Sequence, residues 1–111
     1  MPTTYKVLGQ LNPAATTSTT LYTVPSTSGT QAVISTIAVA NIAATSATYR
    51  IAVRPDGEAL ANKHYFAYDV TLGASDTTVI TAGITLDASD VVSVYASNAN
   101  LVFQAFGTEI S

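Results

Sequence analysis

The sequence predicts an all-β protein, folded as an antiparallel β-sandwich of jelly-roll-like character with about eight short strands. Three observations support this fold class. Threonine, whose branched Cβ favours extended backbone, fills 18 of the 111 positions. Apolar residues recur at every second position in several segments, which is the period of a strand. Turn-forming residues separate these segments by about 8 to 15 residues, a spacing typical of sandwiches and barrels.

The length and composition indicate one domain with one core. A chain of 111 residues is long enough to bury a single hydrophobic core and too short for two. We therefore expect a single β-sandwich domain over residues 1–111, with residues 1–5 able to extend as an N-terminal arm. Alanine, with 18 residues, favours helix instead, so the sequence period has to decide between the two kinds of structure.

Nine segments carry the strand signal. The third of them is apolar on both faces, since Val33 and Ile37 alternate with Ile34, and this favours a strand buried between layers. The nine segments are residues 4–10, 19–24, 31–42, 47–54, 63–71, 77–81, 84–86, 91–96 and 101–109.

The fourth segment has one apolar and one polar face. Tyr49, Ile51 and Val53 share the first face, which we expect to point into the core. Arg50 and Arg54 share the second face, which we expect to point towards solvent. This alternation is typical of a strand in a half-buried sheet.

The connections between the segments have signals of their own. The Pro-Asp-Gly triplet at residues 55–57 predicts a turn, because proline fixes φ and glycine accepts a positive φ. Asp76 and Asp90 each follow a serine and precede two β-branched residues, where a carboxylate accepts backbone N–H groups of its turn. The acidic residues lack the alternate-position spacing of a calcium loop, so we expect no metal site. Residues 58–64 are predicted to form a loop with at most one helical turn.

The aromatic residues at 65–70 are predicted to lie on a strand with one buried face. Phe66, Tyr68 and Val70 are in phase and are assigned to the core. Tyr65 lies on the opposite face, next to His64, and tyrosine offers contact area together with a hydroxyl group. This pair is therefore the favoured contact point for a partner.

Charge and composition argue against several classes of function. The net charge is −3, and the cations form no run, so a nucleic-acid partner is not expected. No segment has the uninterrupted apolar length of a signal peptide or a membrane-spanning helix, so no membrane partner is expected. The chain has no cysteine, and therefore no disulfide or thiolate site. The four cations are Lys6, Arg50, Arg54 and Lys63.

Catalysis is also disfavoured by the residues present. His64 is the single histidine, and it could act as a general base only with partner groups that the sequence does not indicate. We expect it to be a half-exposed strand or loop residue. The nucleophile elbow and the phosphate-binding glycine loop are absent from the sequence. We therefore expect no catalytic residues and no cofactor.

The surface is expected to be covered by other protein. Charged residues make up 10% of the chain, against about 25% in ordinary soluble proteins. A sheet surface of threonine, serine and alanine does little to repel neighbouring copies, and strand edges without charges are open to pairing. This composition predicts a protein that assembles with its own copies or with other subunits.

Five short phrases are spread over nearly the whole chain: Thr4–Gln10 (TYKVLGQ), Leu21–Pro25 (LYTVP), Tyr49–Val53 (YRIAV), Leu86–Ser97 (LDASDVVSVYAS) and Phe106–Ile110 (FGTEI). Together they resemble small all-β virion proteins of tailed bacteriophages. The phrase that begins at Leu86 also occurs in many jelly-roll and sandwich domains, so it supports the fold more than the function. No functional residue carries over from this resemblance.

The resemblance implies a non-enzymatic structural role in a virus particle. The first expectation is a capsid cement or decoration protein at the particle surface, which stabilises contacts between shell subunits. The alternatives are a neck, tail or baseplate component, or a receptor-binding or carbohydrate-binding module at a tail tip. Expected partners are major capsid or tail proteins and the chain's own copies, as a homotrimer or another homo-oligomer. The predicted interface residues are Thr3, Thr4 and Tyr5 in the arm, with His64 and Tyr65.

Overall fold

The computed structural model describes residues 3–110 and consists of eight β-strands with two short 3-10 turns. The strands form two antiparallel sheets of four, which confirms the predicted all-β class. Their bounds are β1 (Thr3–Leu11), β2 (Thr19–Thr23), β3 (Gln31–Asn41), β4 (Ala47–Arg54), β5 (Tyr65–Leu72), β6 (Thr77–Asp87), β7 (Val91–Ala96) and β8 (Leu101–Ile110). The 3-10 turns are Pro55–Gly57 and Asn62–His64, so the predicted loop at 58–64 contains one helical turn.

The order of the strands is that of a jelly roll. The first sheet runs β1-β8-β3-β6 and the second runs β2-β7-β4-β5. Strands that pair are therefore distant in sequence, apart from the β4–β5 pair. Eight strands wound in this way into two facing sheets are the jelly-roll form of a sandwich, as the sequence predicts.

The core is a layer of apolar, mainly aliphatic side chains between the two sheets. It is centred on Phe103, which is fully buried and meets the edge of Tyr49 with ring centroids 6.3 Å apart. Ile34 and Ile37 of β3 and Ile51 of β4 are also fully buried against it. The inward face predicted for β4 is confirmed, since Tyr49 and Ile51 are buried, whereas Ala52 on the face predicted to be in solvent is buried as well.

A bulge in β3 reverses the alternation that the sequence predicts for this strand. Ile34 and Thr36 pair with the consecutive positions Gly107 and Phe106 of β8, so that Ser35 is left out of the register, and the pairing with β6 is shifted at the same place. Ile34 and Ile37 consequently face the core together, although they are an odd number of positions apart. The prediction that Val33 and Ile37 share a face is wrong for this reason, because an extra residue switches the phase of everything beyond it.

The bulge in β3 also explains why the sequence predicts two strands where the structure has one. The segments predicted at 77–81 and 84–86 are a single strand, β6. Thr81 pairs opposite Thr36 and Ile84 pairs opposite Ile34, which leaves Gly83 and its neighbour beside the bulge. The glycine marks an irregular place inside the strand and does not end it.

The predicted turns are confirmed in detail. The turn after β4 holds Asp56 and Gly57 at φ values of 55° and 68°. Asp90 accepts two backbone N–H groups at 2.8 Å each, from Asp56 and from Asp87. Asp76 accepts the N–H of Thr77 at 2.8 Å. These carboxylates close the turns at the two ends of β6, and Asp90 also holds the Pro55–Gly57 turn through the N–H of Asp56.

The residues predicted as an arm belong in part to a paired strand. Thr3, Thr4 and Tyr5 are the first residues of β1, and they pair with the last three residues of β8, Thr108–Ile110. The remaining part of the predicted arm, residues 1 and 2, lies outside the described residues.

A polar cluster joins the two sheets beside β1. Tyr22 of β2 is buried and donates its hydroxyl hydrogen to Glu109 of β8. Lys6 of β1 forms an ion pair with the same carboxylate, at 3.0 Å from Nζ to Oε1. The hydrogen bond from Tyr22, with the charge of Lys6 nearby, lowers the pKa of Glu109. Burial, together with the adjacent carboxylate, raises the pKa of Tyr22 above its usual range.

The cluster predicts a pH dependence of stability. Because the pKa of Glu109 is lower in the folded chain than in the unfolded chain, its contribution is present at neutral pH and is lost as pH falls below about 4.5. Glu109→Gln should lower the unfolding free energy at pH 7 by about 1 kcal/mol and flatten its dependence on pH between 3 and 5. Urea denaturation across this range measures both effects, and Tyr22→Phe should flatten the curve in part. A Glu109→Gln variant with the wild-type pH dependence would contradict the assignment.

Two glycines allow a matched test of the close approach between β8 and β3. A Cβ built on Gly107 would overlap the carbonyl oxygen of Val33, whereas a Cβ on Gly83 would meet no atom within 4 Å. Gly107→Ala should therefore lower the unfolding free energy by about 2 kcal/mol or more, and Gly83→Ala should leave it nearly unchanged. Chemical denaturation of both variants gives the comparison, and equal effects would show that the strands are not in close contact at Gly107.

Candidate functional site

The outer face of the first sheet is almost free of charge. The register of β1, β8, β3 and β6 arranges its outward side chains in five cross-strand rows. Among the described residues that point this way, Asp87 at one corner is the single acidic or basic one. We call the remainder the uncharged face; its rows are Thr3, Ile110, Gln31; then Tyr5, Thr108, Val33, Thr85; then Val7, Phe106, Thr36, Thr81; then Gln10, Gln104, Ala38, Val79; and then Val102, Ala40, Thr77.

The charged residues of the chain lie elsewhere for identifiable reasons. Lys6 and Glu109 point between the sheets, in the cluster with Tyr22. Arg50 and Asp69 form an ion pair on the second sheet. The others, apart from Asp87, lie in loops and turns or at the end of β4. An ordinary surface carries about 25–35% charged residues, so a whole sheet face with one charge at its corner is a strong departure.

The uncharged face has both a protrusion and a hollow. Tyr5 stands out from β1 and is 82% exposed, and Val79 of β6 is 62% exposed. Phe106 lies half-buried in the middle row. At the corner of this face where Asp87 lies, β3 and β6 border a hollow of about 320 Å³. Its lining combines outward residues, among them Val33 and Thr85, with the buried Ala32 and Leu86 and the acidic Asp87 and Asp90.

The outer face of the second sheet is organised around an arginine. Arg50 of β4 lies between two tyrosine rings, with its guanidinium carbon 4.3 Å from the centre of Tyr68 and 4.2 Å from that of Tyr95. Asp69 accepts from its Nε at 2.6 Å and from Nη2 at 3.3 Å. Because the aromatic rings and the carboxylate hold the cation from three sides, its charge is already neutralised.

A cleft lies beside this arginine, between two loops that cross the second sheet. The backbone N–H of Thr16 donates to the carbonyl of Ala96 at 2.8 Å, which fixes the first loop. The cleft has a volume of about 240 Å³, and a second hollow of about 320 Å³ adjoins it at Tyr65, with Asn62 and Tyr68. We call the two together the tyrosine cleft; the lining of its first part is Thr16, Ser18, Arg50, Ala52, Leu60, Tyr65, Ser93, Val94 and Tyr95.

His64 holds the second loop and is not the half-exposed residue that the sequence predicts. It is 6% exposed, and its Nδ1 accepts the backbone N–H of Ala61 at 3.0 Å. Nε2 therefore carries the ring proton and donates to Glu58 Oε1 at 3.1 Å. This hydrogen bond, with Lys63 nearby, lowers the pKa of Glu58. The imidazole ring of His64 thus holds the loop at residues 58–64 closed, and this loop borders the tyrosine cleft beside Tyr65.

The aromatic face assigned to the core is exposed, so that prediction is wrong. Phe66 is 47% exposed and Tyr68 is 55% exposed, and Val70 is also exposed. β5 is an edge strand with two irregularities in its pairing with β4, and Asp69 has a positive φ of 49°. These irregularities turn Ala67 inward against the core and leave the larger side chains outside.

The predicted interface residues lie on three different surfaces. Thr3 and Tyr5 belong to the uncharged face, whereas Thr4 points to the opposite side of β1 and pairs with Glu109. Tyr65 is half-buried in the tyrosine cleft and meets Tyr68 edge to face, with ring centroids 4.8 Å apart. The structure thus brings His64 and Tyr65 together and separates them from the start of β1. Sequence reasoning did not find the grouping of Arg50, Tyr68 and Tyr95, because only the register places them side by side.

Residues 3–110 contain neither a candidate metal site nor a candidate membrane-spanning helix. No three histidine, cysteine, aspartate or glutamate side chains in this range are grouped in a way that could hold a metal ion. Across the same range, there is no helix with the length and apolar character needed to cross a membrane.

Comparison with known proteins shows likeness in fold alone. The sequence matches no protein-family model and no curated protein. A chain in the acidic stable capsid structure of Helicobacter pylori bacteriophage KHP30 has a TM-score of 0.51 and 18% identity, over 98% of this chain and 93% of that chain. A chain in the structure of infectious bursal disease virus, Gx strain, has a TM-score of 0.52 and 12% identity. That match covers 97% of this chain and 31% of the other, so the present chain spans about a third of that protein.

Proposed function

We propose that this chain is a non-enzymatic structural protein of a virus particle, and more specifically a cement or decoration protein that stabilises contacts between capsid subunits. The observation that carries the proposal is the likeness to the chain from the phage capsid. It covers 93% of that chain and 98% of this one. The two are therefore similar in length as well as in fold, which favours a similar role for the whole chain.

The surface of the molecule supports the same proposal. The uncharged face and its exposed tyrosine and valine side chains are typical of protein that is covered in an assembly. The single histidine is engaged in holding a loop, which leaves it poorly placed to serve as a general base. A small sandwich present in many copies can hold a shell through modest contacts, because multivalent attachment raises the effective affinity.

A particle-binding experiment tests the proposal. Purified protein should co-sediment with particles of the virus that encodes it, and particles lacking it should rupture at a lower temperature than particles to which it is restored. Thermal release of the genome, followed with a nucleic-acid dye, measures the second effect. Particles of an unrelated virus serve as the control. Protein that neither sediments with its own particles nor alters their rupture temperature would disprove a cement role.

The tyrosine cleft favours a second candidate, a carbohydrate-binding module. Its walls are the aromatic rings of Tyr65 and Tyr95, and its exposed hydroxyl groups come from Thr16 and Ser18. The hydroxyl of Ser93 also borders it but is buried and accepts a hydrogen bond from Arg54. Since Asp69 already neutralises Arg50, the cleft suits a neutral, polyhydroxylated ligand. Ligand pockets combine apolar walls with a few placed polar groups in this manner.

A glycan array tests this second candidate with a matched pair of variants. Tyr65→Ala removes a wall of the cleft and should abolish any glycan signal. Phe66→Ala removes an exposed aromatic ring outside the lining of the cleft and should leave the signal intact. A wild-type protein that binds no glycan, or equal losses in both variants, would exclude recognition in the cleft.

A further inference from the structure

We infer that the uncharged face is the contact between two copies of this chain, which pack face to face around a two-fold axis parallel to the strands. This inference goes beyond the proposed function, because it names the surface through which the self-association expected from the sequence would occur. Under this symmetry β1 of one copy lies over β6 of the other, and each cross-strand row meets the same row of its partner copy.

The distribution of charge favours a second copy of this chain as the protein that covers the uncharged face. In a contact of this symmetry the same patch meets itself, so charges near the axis would face like charges. The uncharged face has none there. The two copies of Asp87 would lie over opposite edges of the sheet, about 14 Å apart across three strand spacings, which exceeds the Debye length of about 8 Å at physiological salt.

The shape of the face is complementary to itself. Tyr5 protrudes from β1, and the hollow lies between β3 and β6 beside Val33 and Thr85. All three residues belong to one row. A two-fold axis along the strands exchanges the β1 end of this row with its β6 end, and so places Tyr5 of each copy over the hollow of the other.

The size of the face is also that of a stable contact. Its strands contain 9 to 11 residues, which corresponds to about 30–35 Å at a rise of 3.3 Å per residue, and four strands span roughly 20 Å. The flat area of this face is therefore about 600 Å². Because side chains project from it, its accessible surface is larger and approaches the roughly 800 Å² per partner of a standard interface. Aromatic and uncharged side chains at its centre match the composition of interface cores.

Two apolar side chains of similar exposure provide the first test. Val79 lies on the uncharged face, whereas Ile42, 67% exposed, follows β3 outside that face. Light scattering coupled to gel filtration should show a wild-type dimer, an Ile42→Glu dimer, and a Val79→Glu monomer with dimerisation weakened at least 100-fold. A wild-type monomer or trimer, or a Val79→Glu protein that remains as dimeric as the control, would overturn the inference.

Cysteine cross-linking tests the orientation independently and decides the matter should Val79→Glu fail to fold. The chain has no cysteine. A Val7→Cys, Thr81→Cys double variant should be joined into covalent dimers by a bis-maleimide too short to span the ~14 Å between β1 and β6 of one sheet. A Val7→Cys, Ile42→Cys variant should remain uncoupled. Cross-linking in neither variant, or equally in both, would exclude this packing.

The dimerisation tests and the particle-binding test can succeed or fail independently of each other. If the protein dimerises through this face but does not bind particles, the cement role fails and the dimer stands. If it binds particles as a monomer or trimer, the cement role stands and the inference about this face is wrong.

Discussion

The aliphatic layer between the two sheets is the interaction on which the rest of the structure depends. With no cysteine in the chain, packing has to supply the stability that a disulfide frame gives to other small domains. Phe103, Ile34 and Ile51 are completely buried in this layer. Because a strand that turns one side chain inward must turn the next outward, this layer also dictates which residues form the two outer faces.

The strands and turns could be predicted from the sequence because their signals are local. Alternation of apolar and polar residues marks β4, and the carboxylates of Asp76 and Asp90 close the turns around β6 as expected. What could not be predicted is which alternate residues of each strand face the core. The bulge at Ser35 and the irregular pairing of β5 depend on which strands become neighbours. A shift of one residue moves every later side chain to the other face, which is why Phe66 and Tyr68 were assigned to the wrong side.

For the two surfaces proposed as contact sites, the composition could be predicted from the sequence, whereas the location depends on the strand register. The low charge content predicts a surface covered by other protein, but it does not say where the charges are missing. Only the pairing of β1, β8, β3 and β6 gathers the neutral residues onto one face. Tyr65 is predicted as a contact point because the sequence places it on the face opposite Phe66 and Tyr68, whereas the structure packs it edge to face against Tyr68. Its partners in the cleft, Arg50 and Tyr95, are 45 residues apart in sequence and adjacent in the register.

The two outer faces lie on opposite sides of one sandwich, so the contacts proposed for them do not compete for the same surface. If the uncharged faces of two copies meet, both tyrosine clefts point away from the contact, in opposite directions. A dimer of this kind carries two equivalent outward sites, and each can engage a separate subunit or ligand. The second engagement then occurs at a high effective concentration, which raises the apparent affinity without any stronger single contact. A neutral face for self-association and a polar, aromatic face for other partners would in this way make a small protein a bivalent link.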